Sequence, residues 1–110
     1  MPMIARLWHG IVANEMAIAY HDYLLATGLK DYRLVPGNRS VSLLKRADGP
    51  VTHFYTLTYW DDFNSIRQFA GEDYEKARYY PEDKDYLLEL ETNVVHFEVL
   101  EQLEGSPYEP

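Results

Sequence analysis

The sequence predicts an α+β domain of the ferredoxin-like kind: a four-stranded antiparallel sheet with helices on one face. Three observations carry this. Strand-like alternation marks both ends of the chain, Met3 to Val12 and Asn93 to Leu100. Two β-rich runs lie in the middle, Ser40 to Arg46 and Val51 to Trp60, split by the turn Ala47-Asp48-Gly49-Pro50. Helical spacing precedes and follows this hairpin, so the order is β-α-β-β-α-β.

In the first strand Ile4, Arg6, Trp8 and Gly10 share one face, and Ala5, Leu7, His9 and Ile11 the other. Asn14 is placed to cap a helix running to about Thr27, with Gly28 just past its end. Met16, Tyr20, Tyr23, Leu24 and Thr27 form its stripe. Tyr32 to Val35 reads as extended, and Pro36-Gly37-Asn38 as a turn or bulge before the second strand. Asp61 or Asp62 can cap the next helix, whose buried stripe is Phe63, Ile66, Phe69 and Ala70. Short helical pieces are expected around Asp73–Arg78 and Pro81–Leu90, broken by Gly71 and Pro81. The last strand sets Val94, His96 and Glu98 against Val95, Phe97 and Val99. Residues 1–100 read as one domain, and 101–110 as an acidic tail, frayed or draped on a partner.

Helices on one side leave the other sheet face, expected to carry Trp, Phe, Tyr, Thr and Val, bare and apolar, which predicts a homodimer joined sheet to sheet. The net charge of −8 opposes binding to nucleic acid or anionic membrane. There is no Cys, which excludes thiolate catalysis and Cys-based metal sites. No apolar stretch approaches the ~20 residues that span a bilayer, and no signal peptide is visible, so a cytoplasmic protein is expected.

The string IRQFAGEDYEKARYYPEDKDYL, from Ile66 to Leu87, with ARLWHGIV, VPGNRSVSLLKR, HFYTLTYWDDFNSIRQFAG and NVVHFEV, resembles the antibiotic biosynthesis monooxygenase superfamily of dimeric α/β-barrel proteins. The resemblance covers roughly residues 3 to 100. It implies that fold and a pocket between the sheet and the Phe63–Leu87 layer. It also implies one of three functions: an oxygenase working without a cofactor on a small aromatic or quinol, a ligand-binding or stress-response protein without turnover, or a haem protein. Haem-degrading members use an Asn on the first strand, a Trp near the sheet-helix junction and a His on the second helix. Trp60 stands near the Trp position. The first strand has Arg6 and Trp8 instead of the Asn, and residues 62–70 contain no His.

His96 leads the candidates, because an imidazole among Val94, Val95 and Phe97 can trade a proton near neutral pH. Burial should keep it a neutral base. A core His held by hydrogen bonds is the plainer reading. Arg6 can hold an enolate or carboxylate, or pair with Glu98. Tyr80 can donate to a developing oxyanion, or plug the pocket mouth. Trp8, Phe54, Trp60 and Tyr79 are the expected pocket walls, with Trp60 at the rim. Glu82 and Asp83 read as first-turn acids after Pro81, and Arg67 with Asp73 as a structural pair. No cofactor is expected. No metal is expected either, since His9, His21, His53 and His96 lack ligand spacing, and only chance would bring His9, His53 and an acid together.

Overall fold

The structure is a computed structural model and describes residues 3–105. Strand β1 is Ile4–Ala13, β2 is Asn38–Asp48, β3 is Val51–Trp60 and β4 is Val95–Glu98. They form one antiparallel sheet in the order β2-β3-β1-β4. Helices α1, Ala17–Ala26, and α2, Gly28–Leu34, fill the first crossover, and α3, Phe63–Ala70, opens the second. This is the ferredoxin-like topology that the element order predicts.

The hairpin and α3 follow local rules. A bulge between Asn38 and Ser40 lets β2 enter the sheet beside the Pro36-Gly37 turn. Gly37 has φ 92°, and a Cβ there would fall 2.0 Å from Ser65 Oγ, so only glycine fits against α3. Asp62 caps α3 by accepting from the Ser65 N–H at 2.8 Å.

Four expectations are corrected. Asn14 does not cap α1. It lies in a short 3-10 turn, donates to the Gly49 carbonyl and accepts from the Thr52 hydroxyl, tying the helix entry to the hairpin. Tyr32 to Leu34 is helical, because α2 resumes after Gly28 and buries Tyr32 against Phe69 and Trp60. Asp73–Arg78 is irregular chain, since its backbone pairs with the approach to β4: Ala77 N–H donates to Thr92, and Val94 N–H to Glu75. Pro81–Leu90 holds only the 3-10 turn Asp83–Asp85. Residues 101–105 carry no regular structure and are exposed, and the rest of the expected tail lies outside the described residues. No described helix is long and apolar enough to cross a membrane.

Two apolar clusters sit between the sheet and the helical layer. One gathers Trp8, Val12, Tyr20, Leu24, Phe54, Leu87 and Val94. The other gathers Ile4, Tyr32, Trp60, Ile66 and Phe69. The opposite sheet face is open, with Val95 52% and Phe97 50% exposed, but it carries no Trp: contrary to expectation, strand alternation turns Trp8 and Trp60 to the helix side.

Candidate functional site

Strand alternation sets a polar row between the two clusters. On β1, Arg6 separates Ile4 from Trp8, and on β3, Thr56 and Thr58 separate Phe54 from Trp60. Strand register aligns them: His96 lies opposite Arg6 on β4, and Thr58 opposite Arg6 on β3. A row of His96, Arg6 and Thr58 therefore crosses the helix-facing side of the sheet.

Some of this row is satisfied. Thr58 Oγ1 donates to the Arg6 carbonyl and accepts from Trp60 Nε1, and the hydroxyls of Tyr32 and Thr56 pair at 3.1 Å. Three other atoms are buried without a partner among the described residues: Arg6 Nε, Trp8 Nε1 and His96 Nε2. Arg6 is 1% exposed and has no carboxylate within ion-pair reach among these residues. The expected pair with Glu98 does not form: Glu98 is exposed and lies opposite Ile4. Arg6 donates to the Lys76 carbonyl at 3.3 Å and lies 5.6 Å from the Phe69 ring centre. A cation–π contact contributes about 0.5–2 kcal/mol. An uncompensated buried charge costs about 3–5 kcal/mol, so the ring does not offset it. Burial holds the guanidinium below its usual pKa, partly countered by Tyr32.

His96 faces the same layer, edge-on to Phe63 at 5.6 Å and Tyr74 at 5.3 Å. Burial first, and the Arg6 charge second, push its pKa down to about 4. It is a neutral imidazole at neutral pH. The same positive field that resists a proton on His96 favours a negative charge beside it.

Beside this row lies a small cavity of about 20 Å³, room for about one water. Trp8, Tyr32, Thr56, Phe69, Arg78 and Tyr80 are on its wall. Trp8 is aimed by Gly10, where a Cβ would meet the indole at 2.6 Å and Leu87 at 2.7 Å. Tyr79 packs edge-on against Trp8 and donates to the Glu91 carbonyl at 2.5 Å; burial pushes its phenol up to about 12. Tyr80 donates to Asp31, and burial raises its pKa.

Trp8 and Tyr80 thus border one cavity, with Tyr79 packed against Trp8. Arg6 is off its wall, near the Phe69 ring, and so is His96, which lies beyond Arg6 on the edge strand β4. Trp60 is fully buried in the second cluster, not at a rim. Phe54 borders a separate surface groove with His21 and Lys45.

Sequence reasoning missed Arg78 and Asp83. Arg78 borders the cavity, donates to the Phe69 carbonyl at 2.9 Å and lies 4.6 Å from that ring's centre. Asp83 is 3% exposed, accepts from Tyr20 and from the Tyr80 N–H, and is raised in pKa by burial. It is not a solvated first-turn acid. Both occupy irregular chain, where no periodicity marks a side chain's direction. Arg67 pairs with Glu72 at 3.9 Å and Asp73 with Lys76 at 3.3 Å, so their expected mutual pair is absent.

The architecture has solved counterparts. A candidate antibiotic biosynthesis monooxygenase from Bacillus cereus superposes with a TM-score of 0.68 at 8% identity, over 96% of this chain and 100% of its own. One from Nitrosomonas europaea gives 0.66 at 18% identity, over 89% and 90%. A Streptomyces coelicolor monooxygenase in complex with nanaomycin D gives 0.60 at 15% identity, over 96% and 93%. The chain has the fold of the antibiotic biosynthesis monooxygenases. No family model matches it, and no curated protein does at a significant level. At these identities the likeness to the monooxygenase fold says nothing about which side chains act.

Proposed function

We propose that this chain is a cofactor-independent oxygenase of a small aromatic or quinol-type substrate, bound between the sheet and the helical layer. The observation that carries the reading is the unpartnered polar set on the helix-facing side of the sheet, Arg6 Nε, Trp8 Nε1 and His96 Nε2, of which Trp8 lines an aromatic-walled cavity. Buried polar atoms in folded proteins are nearly all paired. Three orphans on one face, at residues suited to proton transfer, anion stabilisation and ring contact, fit a site awaiting its substrate.

For an anthrone-type substrate the steps balance. Neutral His96 takes a proton from the ring CH2, leaving a carbanion that Arg6 stabilises through its charge. The carbanion reduces O2 and forms a C–O bond. Loss of water from the peroxide leaves a ketone, so R2CH2 and O2 give R2CO and H2O. Tyr80 supplies a second donor once the substrate displaces its ring. Trp8 and Tyr79 contact the substrate, which enters by moving irregular residues 71–82. Phe54 and Trp60 support the wall from the two clusters.

Oxygen uptake with anthrone and with a naphthoquinol is the test. The expected result is turnover that falls by about 10²-fold or more in His96→Ala. No uptake with any such substrate would remove the reading. Binding of such a ring without oxygen uptake would instead support the second reading, a ligand-binding protein without turnover.

The open sheet face supports a homodimer in this reading. Its half-exposed Val95 and Phe97 would be covered by a second copy across an interface above ~1,000 Å². A monomer in sedimentation at micromolar concentration counts against it.

A further inference from the structure

The geometry points to a ligand that arrives already charged: a planar organic anion, its negative group held by Arg78 on the cavity wall and attracted by the buried charge of Arg6, which lies off that wall near the Phe69 ring. This deepens the proposed function by naming a substrate class. It rests on that reading's site but not on its turnover.

Two guanidinium groups lie near one aromatic ring, Arg6 at 5.6 Å and Arg78 at 4.6 Å from the centre of Phe69. Neither has a carboxylate partner among the described residues. This occurs in a chain whose net charge is −8, where acids outnumber bases by 18 to 10. Acids are plentiful, yet none has been placed against the most buried cation. A neutral quinol would leave that charge uncompensated. An anion would offset it, and a carboxylate is well shaped for a guanidinium.

The nearest acids do not fill this role. Asp83 borders the cavity, but its two oxygens already accept from Tyr20 and from the Tyr80 N–H. Asp31 accepts from the Tyr80 hydroxyl. The apolar part of the wall is Trp8, Leu24, Leu29 and Phe69, against which a flat apolar body fits once the Tyr80 ring moves aside. The two arginines differ in setting. Arg6 is sealed, so it acts as a fixed charge, whereas Arg78 is exposed on irregular chain and can close over a bound ligand.

Calorimetry on the full chain, without oxygen, tests this. The probes are benzoate and 2-naphthoate, their neutral amides, and 2-naphthol above and below its ionisation. The carboxylates are expected to bind at least about 10-fold tighter than the amides. Arg78→Gln should weaken the carboxylates several-fold and leave the amides unchanged. Arg6→Met should abolish the discrimination. Preference for ionised 2-naphthol alone would assign the charge to a phenolate and uphold the site. Equal binding of charged and neutral forms, or no binding of any probe, overturns the proposal. Should Arg6→Met fail to fold, Arg78→Gln and the neutral amides still decide it. Tight carboxylate binding without oxygen uptake would sink the oxygenase reading alone. Anthrone turnover with no preference for charge would sink only this one.

Discussion

The two faces of the sheet treat their polar side chains in opposite ways. On the open face, a half-buried histidine pair is partnered at every ring nitrogen the structure describes. His9 Nδ1 meets Glu91 at 2.6 Å, His9 Nε2 meets His53 Nδ1 at 2.8 Å, and His53 Nε2 meets Asp48 at 3.3 Å. The two imidazole planes lie within 12° of each other, with centres 5.1 Å apart. That spacing places the rings end to end, with one hydrogen bond filling the gap. On the helix-facing side, Arg6 and Trp8 are better buried, and Arg6 Nε, Trp8 Nε1 and His96 Nε2 are buried without partners among the described residues. Water could have satisfied the first set, and cannot reach the second. The face that needs internal partners more leaves three buried atoms without them. That is what the proposed ligand site would require, at the expense of stability.

The convergence of His9, His53 and an acid also bears on metal binding. Their nitrogens are spent on one another and on carboxylates. Among the described residues no group of three has metal-ligand geometry.

Substitutions can sharpen the contrast. The largest effects are expected on the helix-facing side. Gly10→Val should overpack Trp8 and Leu87 and lower unfolding stability by about 1–3 kcal/mol, measured by urea titration. Unchanged stability would show that the indole is free to move. Tyr20→Phe should remove a donor from buried Asp83 and cost about 1–3 kcal/mol. A smaller effect is expected on the open face. His53→Ala breaks two partly exposed contacts and should cost about 1 kcal/mol or less. A loss there larger than that of Tyr20→Phe would reverse the comparison.

The pH dependence also separates the faces. His96 has a pKa of about 4 when folded and 6.5 when free, so the unfolded chain binds its proton first. Its contribution is therefore full above about 6.5 and is lost as pH falls toward 4. His96→Phe should flatten the pH dependence of the urea midpoint in this window. A slope identical to wild type would show that His96 is not held neutral.

Much of this was legible in the sequence, for physical reasons. Alternation placed Arg6, Trp8 and His96 on the helix-facing side. The turn at Gly49-Pro50 fixed the hairpin, and Asp62 began α3. Local rules failed where tertiary contacts outweighed them. Gly28 reads as a helix stop, yet the burial of Tyr32 carries the chain into α2. The Asp73–Arg78 stretch has helical composition but is committed to pairing with residues 92–94. The two missed residues, Arg78 and Asp83, lie in or beyond that stretch. Their directions come from chain paths that no periodicity encodes. The convergence of His9 with Glu91, 82 positions away, is likewise set by topology.

The thermal unfolding of Arg6→Met tests the central claim most directly. If the Arg6 charge is buried, without a carboxylate partner and kept for a ligand, an apolar side chain of similar length should be better tolerated by the fold. The variant should melt several degrees above wild type, a gain of about 1–4 kcal/mol. A melting temperature below wild type would contradict the account, because it would show that Arg6 holds the structure together and is not waiting for a partner.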